Sequence, residues 1–386
     1  MEKVLLKRTS RIRAGHLWIF SNELATSPKN FAPGSLVEVY DHRNEFMGIG
    51  YINPNSLISV RLLTRAREEI DREFFRRKIF AALEYRKRFL PGTDSCRLIY
   101  SEGDFLPGLI VDKYDGCLVV QISTLGMEQQ KDLIVKLLDE ILSPAVIVLK
   151  NDSRSRTLEG LPLEKMVIRG ALDTLPVVRD GDVLMEIDPL SGQKTGFFLD
   201  QRANRTVFRE IAEGGRALDL FCYSGAWGLQ LAKKGMKVTF VDDSGTALAQ
   251  AKRNAELNGL TEKCEFVQAD VFAFLKGAAE SGGAYAAVVL DPPAFVKSKA
   301  KIKEALRGYR EINALAMGIV KKGGVLASSS CSYHIDRTVF LEMLHDAARD
   351  SQRNPRIIEQ RSQGRDHPVL LSIPETEYLK CVFLEV

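Results

Sequence analysis

"RALDLFCYSGAWG", Arg216–Gly228, is the stretch that decides how this chain folds. A short apolar run ends in a turn of small residues, and a helical segment follows Gly225. Gly225 lets backbone approach a ligand closely, and the helix that starts there offers the positive end of its dipole. The same alternation continues downstream: "KVTFVD" (237–242), a helix through "TALAQAKRNAELNG" (246–259), "CEFVQAD" (264–270), a short helix, "YAAVVLDPP" (285–293), a long helix and "GGVLASSS" (323–330). Strands alternating with helices predict an α/β unit with a doubly wound, Rossmann-like parallel sheet, expected over 185–386. Ligands of such sheets lie outside the carboxyl ends of the strands, so the chemistry is expected where these strands stop.

Four strand ends carry residues suited to that place. The first holds Gly225, with Asp219, Phe221 and Tyr223 in the same motif. It lacks the G-x-G-x-x-G spacing of a dinucleotide site. The second ends at Asp242, placed to accept hydrogen bonds from the ribose hydroxyls of a nucleoside. The third ends at Asp270 and the fourth at Asp291, in "VVLDPPAF". In this order the set resembles the class I S-adenosylmethionine (SAM) methyltransferases. The resemblance implies SAM as cofactor, Asp242 on its ribose and Asp270 on its adenine side. It also makes Asp291 a polar contact to a planar base, with Pro292 and Pro293 stiffening the strand end. Phe295 either stacks on that base or packs against the next helix.

"VLASSSCSYHID" (Val325–Asp336) places a thiol just past the next strand. An exocyclic amine is its own nucleophile and needs no thiol. Cytosine C5 is barely nucleophilic, and a thiolate adding to C6 activates it, splitting one hard step into easier ones. Cys331 stands where that nucleophile must stand; the alternative is core packing. "SSSCS" also resembles a segment of RNA cytosine-5 methyltransferases. Cys222 would crowd the cofactor, Cys381 alternates within a terminal strand, and Cys96, Cys117 and Cys264 lie outside the motifs. Ala294 occupies the position where some cytosine-5 enzymes carry a second cysteine. His334 is a candidate base for the C5 proton, and His367 reads as structural.

Three further stretches resemble one family, the PUA-domain-containing methyltransferases that modify cytosine C5 in 23S ribosomal RNA. They are "SGQKTGFFLDQRANR" (Ser191–Arg205), "RIRAGHLWIFSNEL" (Arg11–Leu24) and "DHPVLLSIPETEYLK" (Asp366–Lys380). The resemblance implies that Phe198, Asp200, Gln201 and Arg202 lie over the SAM pocket; a structural arm is the alternative. It also implies a small β-barrel PUA domain, expected over 1–70. A basic helix then opens an α+β middle domain, expected over 71–184. The implied partner is 23S ribosomal RNA, naked or within a precursor particle, with the target base flipped out if it lies in a stem.

Charge agrees with that partner. The net charge is +4, yet residues 1–90 carry 17 Lys/Arg against 10 Asp/Glu. Such an excess suits phosphate backbones, through counterion release, or a solvated surface of salt pairs. "KSKAKIKEALRGYR" (297–310) adds Lys297, Lys299, Lys301, Lys303, Arg307 and Arg310 against one acid. The six cysteines and five histidines show no ligand spacing, so no metal is expected. No segment approaches the roughly 20 apolar residues of a membrane span, which predicts a cytoplasmic protein. Monomer and homodimer both stay open. Two other readings stand beside cytosine-5 methylation: N-methylation of guanine or adenine with Cys331 only packing, and a non-catalytic RNA-binding assembly factor.

Overall fold

The predicted alternation closes into a seven-stranded sheet in the computed structural model, which describes residues 1–295 and 301–386. Its strands are β1 (Arg216–Leu220), β2 (Lys237–Asp242), β3 (Cys264–Gln268), β4 (Tyr285–Leu290), β5 (Val320–Ser330), β6 (Arg356–Arg361) and β7 (Lys380–Glu385). They lie in the order β3-β2-β1-β4-β5-β7-β6. The first five run parallel, while β7 inserts antiparallel between β5 and β6. The chain winds outward one way from β1 and the other way from β4. That reversal opens a crevice at their carboxyl ends.

The central strand β4, "YAAVVL", is buried at every position, as expected of a parallel strand covered on both faces. Helices α1 (Arg202–Ile211), α2 (Ala226–Lys233), α3 (Gly245–Leu257), α4 (Val271–Glu280), α5 (Ile302–Ile319) and α6 (Arg337–Asp350) accompany the sheet. Tyr309, Ile312 and Met317 of α5 and Phe340 and Leu344 of α6 share a core with Leu218, Val288, Leu290 and Leu326. Side-chain caps start three of these helices: Ser244 accepts from Ala247 N, Asp270 from Ala273 N and Asp336 from Val339 N.

The sequence places boundaries at 70 and 184, but the chain gathers into two compact units. One comprises Val177–Glu186, Asp200–Gly364 and Glu377–Val386; the other comprises Met1–Pro176, Ile187–Leu199 and Arg365–Thr376. The hairpin Val177–Asp180/Val183–Glu186, expected in the middle domain, thus belongs with the seven-stranded sheet. Its backbone is stitched to α3: Leu184 N donates to Asn258 Oδ1 and Glu186 N to Asn254 Oδ1, both at 2.8 Å. Arg205 of α1 also clamps the hairpin's buried Asp180, at 2.7 and 3.0 Å.

The other unit holds two five-stranded sheets. One, from Glu2–Leu5, Trp18–Phe20, Leu36–Tyr40, Phe46–Ile52 and Ile58–Thr64, is the expected N-terminal β domain. The second comprises Ser95–Tyr100, Leu109–Tyr114, Cys117–Ile122, Val146–Asn151 and the edge strand Glu164–Arg169. Both fall in one unit: Tyr51 and Leu63 share a core with Leu98, Leu109 and Met127, and polar contacts join them as well. Tyr51 OH donates to Pro107 O at 2.7 Å, and Asn53 Nδ2 to Glu159 Oε2 at 2.7 Å. A Cβ on Gly126 would lie 2.1 Å from the Tyr51 ring, so the approach needs glycine.

Much of the basic excess is paired here. Arg13 meets Asp41 and Glu45, Arg61 meets Glu102 and Glu159, and on helix Arg72–Phe89 Arg77 meets Glu68. The buried Arg86 binds Asp104 and the carbonyl of Asp366. His367 is structural, buried with Nδ1 2.9 Å from Asp366 and its ring beside Tyr100. No described helix is long and apolar enough to cross a membrane.

Candidate active site

At the end of β1 the chain makes a tight, unusual turn. Phe221, Tyr223 and Gly225 all have positive φ, at 58°, 47° and 83°. The first two are uncommon for non-glycine residues, and such strain clusters at functional sites. Two carboxylates brace the turn through backbone. Asp242, at the end of β2, accepts from Tyr223 N at 2.9 Å and Ser244 N at 3.0 Å. Asp219 Oδ2 accepts from Gly228 N at 2.8 Å, in the first turn of α2. Its Oδ1 is buried with no hydrogen-bond partner among the described residues, as is Ser224 Oγ. Burial pushes the Asp219 carboxyl up to about 8, with the charges of Asp291 and Asp242 adding. Burial also raises the half-buried Asp242.

The remaining cofactor-side candidates have partners of their own. Asp270 is exposed and spends Oδ1 capping α4. Phe198 belongs to the other unit, where Lys194 Nζ lies 4.3 Å from its ring centroid. In that unit Thr195 is buried and donates to Asp112 Oδ2 at 2.5 Å. Asp200 accepts from Tyr378 OH at 2.5 Å, and Arg202 Nε donates to Asp180 at 3.2 Å. Gln201 does reach another candidate: its Nε2 donates to Asp291 Oδ2 and Ser329 Oγ, each at 3.1 Å.

Asp291 follows β4 directly and is half-buried. Besides Gln201, Trp227 Nε1 donates to its Oδ2 at 3.1 Å. Asn204 Nδ2 donates to Gln201 Oε1 at 2.6 Å and fixes the amide's orientation. Phe295 resolves toward packing: its ring centroid lies 4.5 Å from that of Tyr309 on α5 and 6.4 Å from that of Phe221. Of the basic run, Lys297 and Lys299 lie outside the described residues. Lys301, Lys303 and Arg307 are exposed, whereas Arg310 is tied to Asp346 and Asp350.

Cys331 follows β5, the strand beside β4. Leu290 pairs with Ser328, so Cys331 lies two residues beyond the position level with Asp291. Cys331 is half-buried, while Cys96, Cys117, Cys222 and Cys381 are buried. Burial pushes Cys117 up to about 11 and Cys381 to about 12, away from thiolate. Cys264 is also half-buried, but it starts β3 at the sheet's opposite end. The loop after Cys331 is anchored by Tyr309, whose OH lies 3.0 Å from Ser332 Oγ, and by Lys380, whose Nζ donates to Ser332 O at 2.8 Å. His334 is half-buried against the Tyr333 ring.

Sequence reasoning missed Trp227 and Lys380. Trp227 stands inside the quoted glycine motif and is one of two tryptophans in the chain, a signal that was there to use. Lys380 opens the largely apolar strand "KCVFLE" beside Cys381, a position that reads as an ordinary strand end.

A parallel sheet reversing between β1 and β4, acids at its carboxyl ends and a strained glycine turn define a class I methyltransferase. The cradle suits SAM. The orphaned Asp219 Oδ1 matches a cationic amino group, and the lip at Asp242 matches ribose hydroxyls. Comparisons agree. Residues 3–65 match the model of a PUA-like domain, and residues 149–361 match that of an S-adenosylmethionine-dependent methyltransferase. The chain is similar to ribosomal RNA large subunit methyltransferase I of Aeromonas hydrophila, 40% identical over 98% of this chain and 96% of that one. It is 36% identical to the protein of the same name from Pseudoalteromonas atlantica, over 100% and 97% of the two chains. In fold it is similar to SMU.776, described as a methyltransferase and solved with S-adenosylhomocysteine, at a TM-score of 0.87 and 19% identity, covering 100% of both chains. The chain belongs to the SAM-dependent methyltransferase family of ribosomal RNA large subunit methyltransferase I.

Proposed function

We propose that this protein methylates C5 of a cytosine in 23S ribosomal RNA, in the cytoplasm, through a covalent bond between Cys331 and C6. The ribosomal substrate rests on the names of the relatives and on the PUA-like domain. The observation that carries the chemistry is the half-buried Cys331 at the carboxyl end of β5, beside the strand that ends in Asp291.

On the cofactor side, Asp219 would hold the amino group, Asp242 the ribose and the Phe221–Gly225 turn the edge of SAM. Asp270, Phe198, Asp200 and Arg202 are assigned there by resemblance. When bound, SAM would supply an electrophilic methyl group, its sulfur keeping the S–CH3 electron pair as a neutral thioether. On the base side, Asp291, held by Trp227 and Gln201, accepts from the cytosine amino edge and orients the ring. The Cys331 thiolate forms the Sγ–C6 bond, and the former C5=C6 electron pair takes the methyl carbon. A base then removes the C5 proton. That C–H pair restores C5=C6 and expels the thiolate. Every bond made at sulfur is broken again, and no redox partner is needed. His334, three residues beyond Cys331, remains the candidate base.

Nucleoside mass spectrometry on ribosomal RNA from a strain lacking the gene, incubated with the protein and labelled SAM, tests this. Label in 5-methylcytidine is expected. Label in a methylated purine would return Cys331 to packing, and absence of label with SAM bound would favour an assembly role.

A further inference from the structure

Lys380 is 5% exposed, an unusual burial for a lysine, and the established class of reaction gives it no task. It opens β7 and pairs with Ser330, the residue before Cys331. Its Nζ donates to two backbone carbonyls, Ser332 O and Tyr378 O, both at 2.8 Å. The first bond ties Nζ to the residue after Cys331, and the second holds it to the loop that leads into β7. An ammonium has three N–H donors and a neutral amine has two plus a lone pair. With two donors spent on carbonyls, the third position carries either a proton or a lone pair.

We infer that Lys380 is a positioning residue for Cys331: it accepts the thiol proton and holds the resulting thiolate as an ion pair. In this step the S–H bond breaks, its electron pair stays on sulfur, and the proton completes the ammonium at Nζ. The inference rests on Cys331 being the nucleophile.

The electrostatic surroundings agree. Burial lowers Lys380 to about 8, near the usual range of a thiol. Cys331 acts in the opposite direction, favouring the ammonium, as do Glu377 and Asp336, while Arg337 disfavours it. On the other side, Tyr309 feels the Cys331 charge, and its hydroxyl meets Ser332. The two charges therefore favour each other, the ammonium at Nζ and a thiolate at Sγ.

The test is the rate of Cys331 alkylation by iodoacetamide against pH, followed by peptide mass spectrometry on the full-length protein. The wild-type chain, Lys380→Met, Lys380→Gln and Lys380→Arg are compared, with methyl transfer measured on the same preparations. Gln keeps a donor for the carbonyls without the charge, and serves if Met fails to fold. Met and Gln should raise the alkylation midpoint by at least about one pH unit, roughly a ten-fold slower reaction at pH 7. Arg, always charged and unable to accept the proton, should hold the midpoint at or below that of wild type. Superimposed profiles would overturn the inference even if Cys331→Ala abolishes methylation, a result that leaves the nucleophile standing. Full methylation by Cys331→Ala would remove the nucleophile and this inference together.

Discussion

The two halves of the crevice hold their acids by different means. On the side proposed for the cofactor, Asp219 and Asp242 are fixed by backbone N–H groups of Gly228, Tyr223 and Ser244, all supplied by nearby turns. On the side proposed for the base, Asp291 is fixed by the side chains of Trp227 and Gln201, and the Cys331 loop by Lys380 and Tyr309. Backbone bracing makes a rigid cradle suited to an unchanging cofactor. Side-chain bracing uses rotamers and charges that each can be altered alone, which suits discrimination of a base and control of a proton. Lesions should therefore separate cleanly: the first side governs SAM affinity, the second turnover.

The largest effect is expected at Cys331. Replacement by Ala should lower turnover by at least about 10³ while SAM affinity, read by calorimetry, stays within about two-fold. Next come the donors to Asp291. Trp227→Phe and Gln201→Leu should each lower kcat about 10- to 100-fold, the value of a hydrogen bond to a charged group. If either instead raised only the KM for SAM, the division between the two sides would fail. Asp242→Ala should show the reverse pattern, a KM for SAM raised about ten-fold or more with kcat retained at saturation.

The smallest effect is on stability. Asp219 titrates near 8 in the folded chain against 3.8 for its ordinary value, so between these pH values the folded state holds a proton that the unfolded state has lost. Its contribution is fully present below about pH 4 and is lost as pH rises through about 8. Asp219→Asn keeps an acceptor for Gly228 N and should flatten that slope in SAM-free protein. Thermal melts from pH 5 to 9 would show the variant gaining on wild type as pH rises. Parallel curves would mean that the Asp219 carboxyl is not desolvated.

The same contrast explains what the sequence revealed. The glycine turn, Asp242 and Asp291 were legible because local motifs build them: a strand, its terminal acid and the following turn are contiguous. The sheet was legible for the same reason, including β4 as an all-apolar run. Gln201 was legible as a site candidate, but its bond to Asp291 was not, because that partner is 90 residues away. Lys380 was invisible, since its role depends on β7 inserting antiparallel beside β5, a pairing that no local pattern encodes. The hairpin at 177–186 was misplaced likewise: Asn254 and Asn258, which bind it, read as ordinary polar positions on α3. The excess of positive charge could not reveal its own neutralisation by Asp41, Glu68 and Glu102.

The central claim is that Cys331 bonds to C6 of the target cytosine. Ribosomal RNA containing 5-fluorocytidine tests it most directly, because the fluorine at C5 cannot leave as a proton does and the adduct cannot collapse. Incubation with SAM, denaturing electrophoresis and peptide mass spectrometry should reveal a methylated nucleotide attached to Cys331. Adduct formation at another residue, or none under conditions where unsubstituted RNA is methylated, would contradict the account.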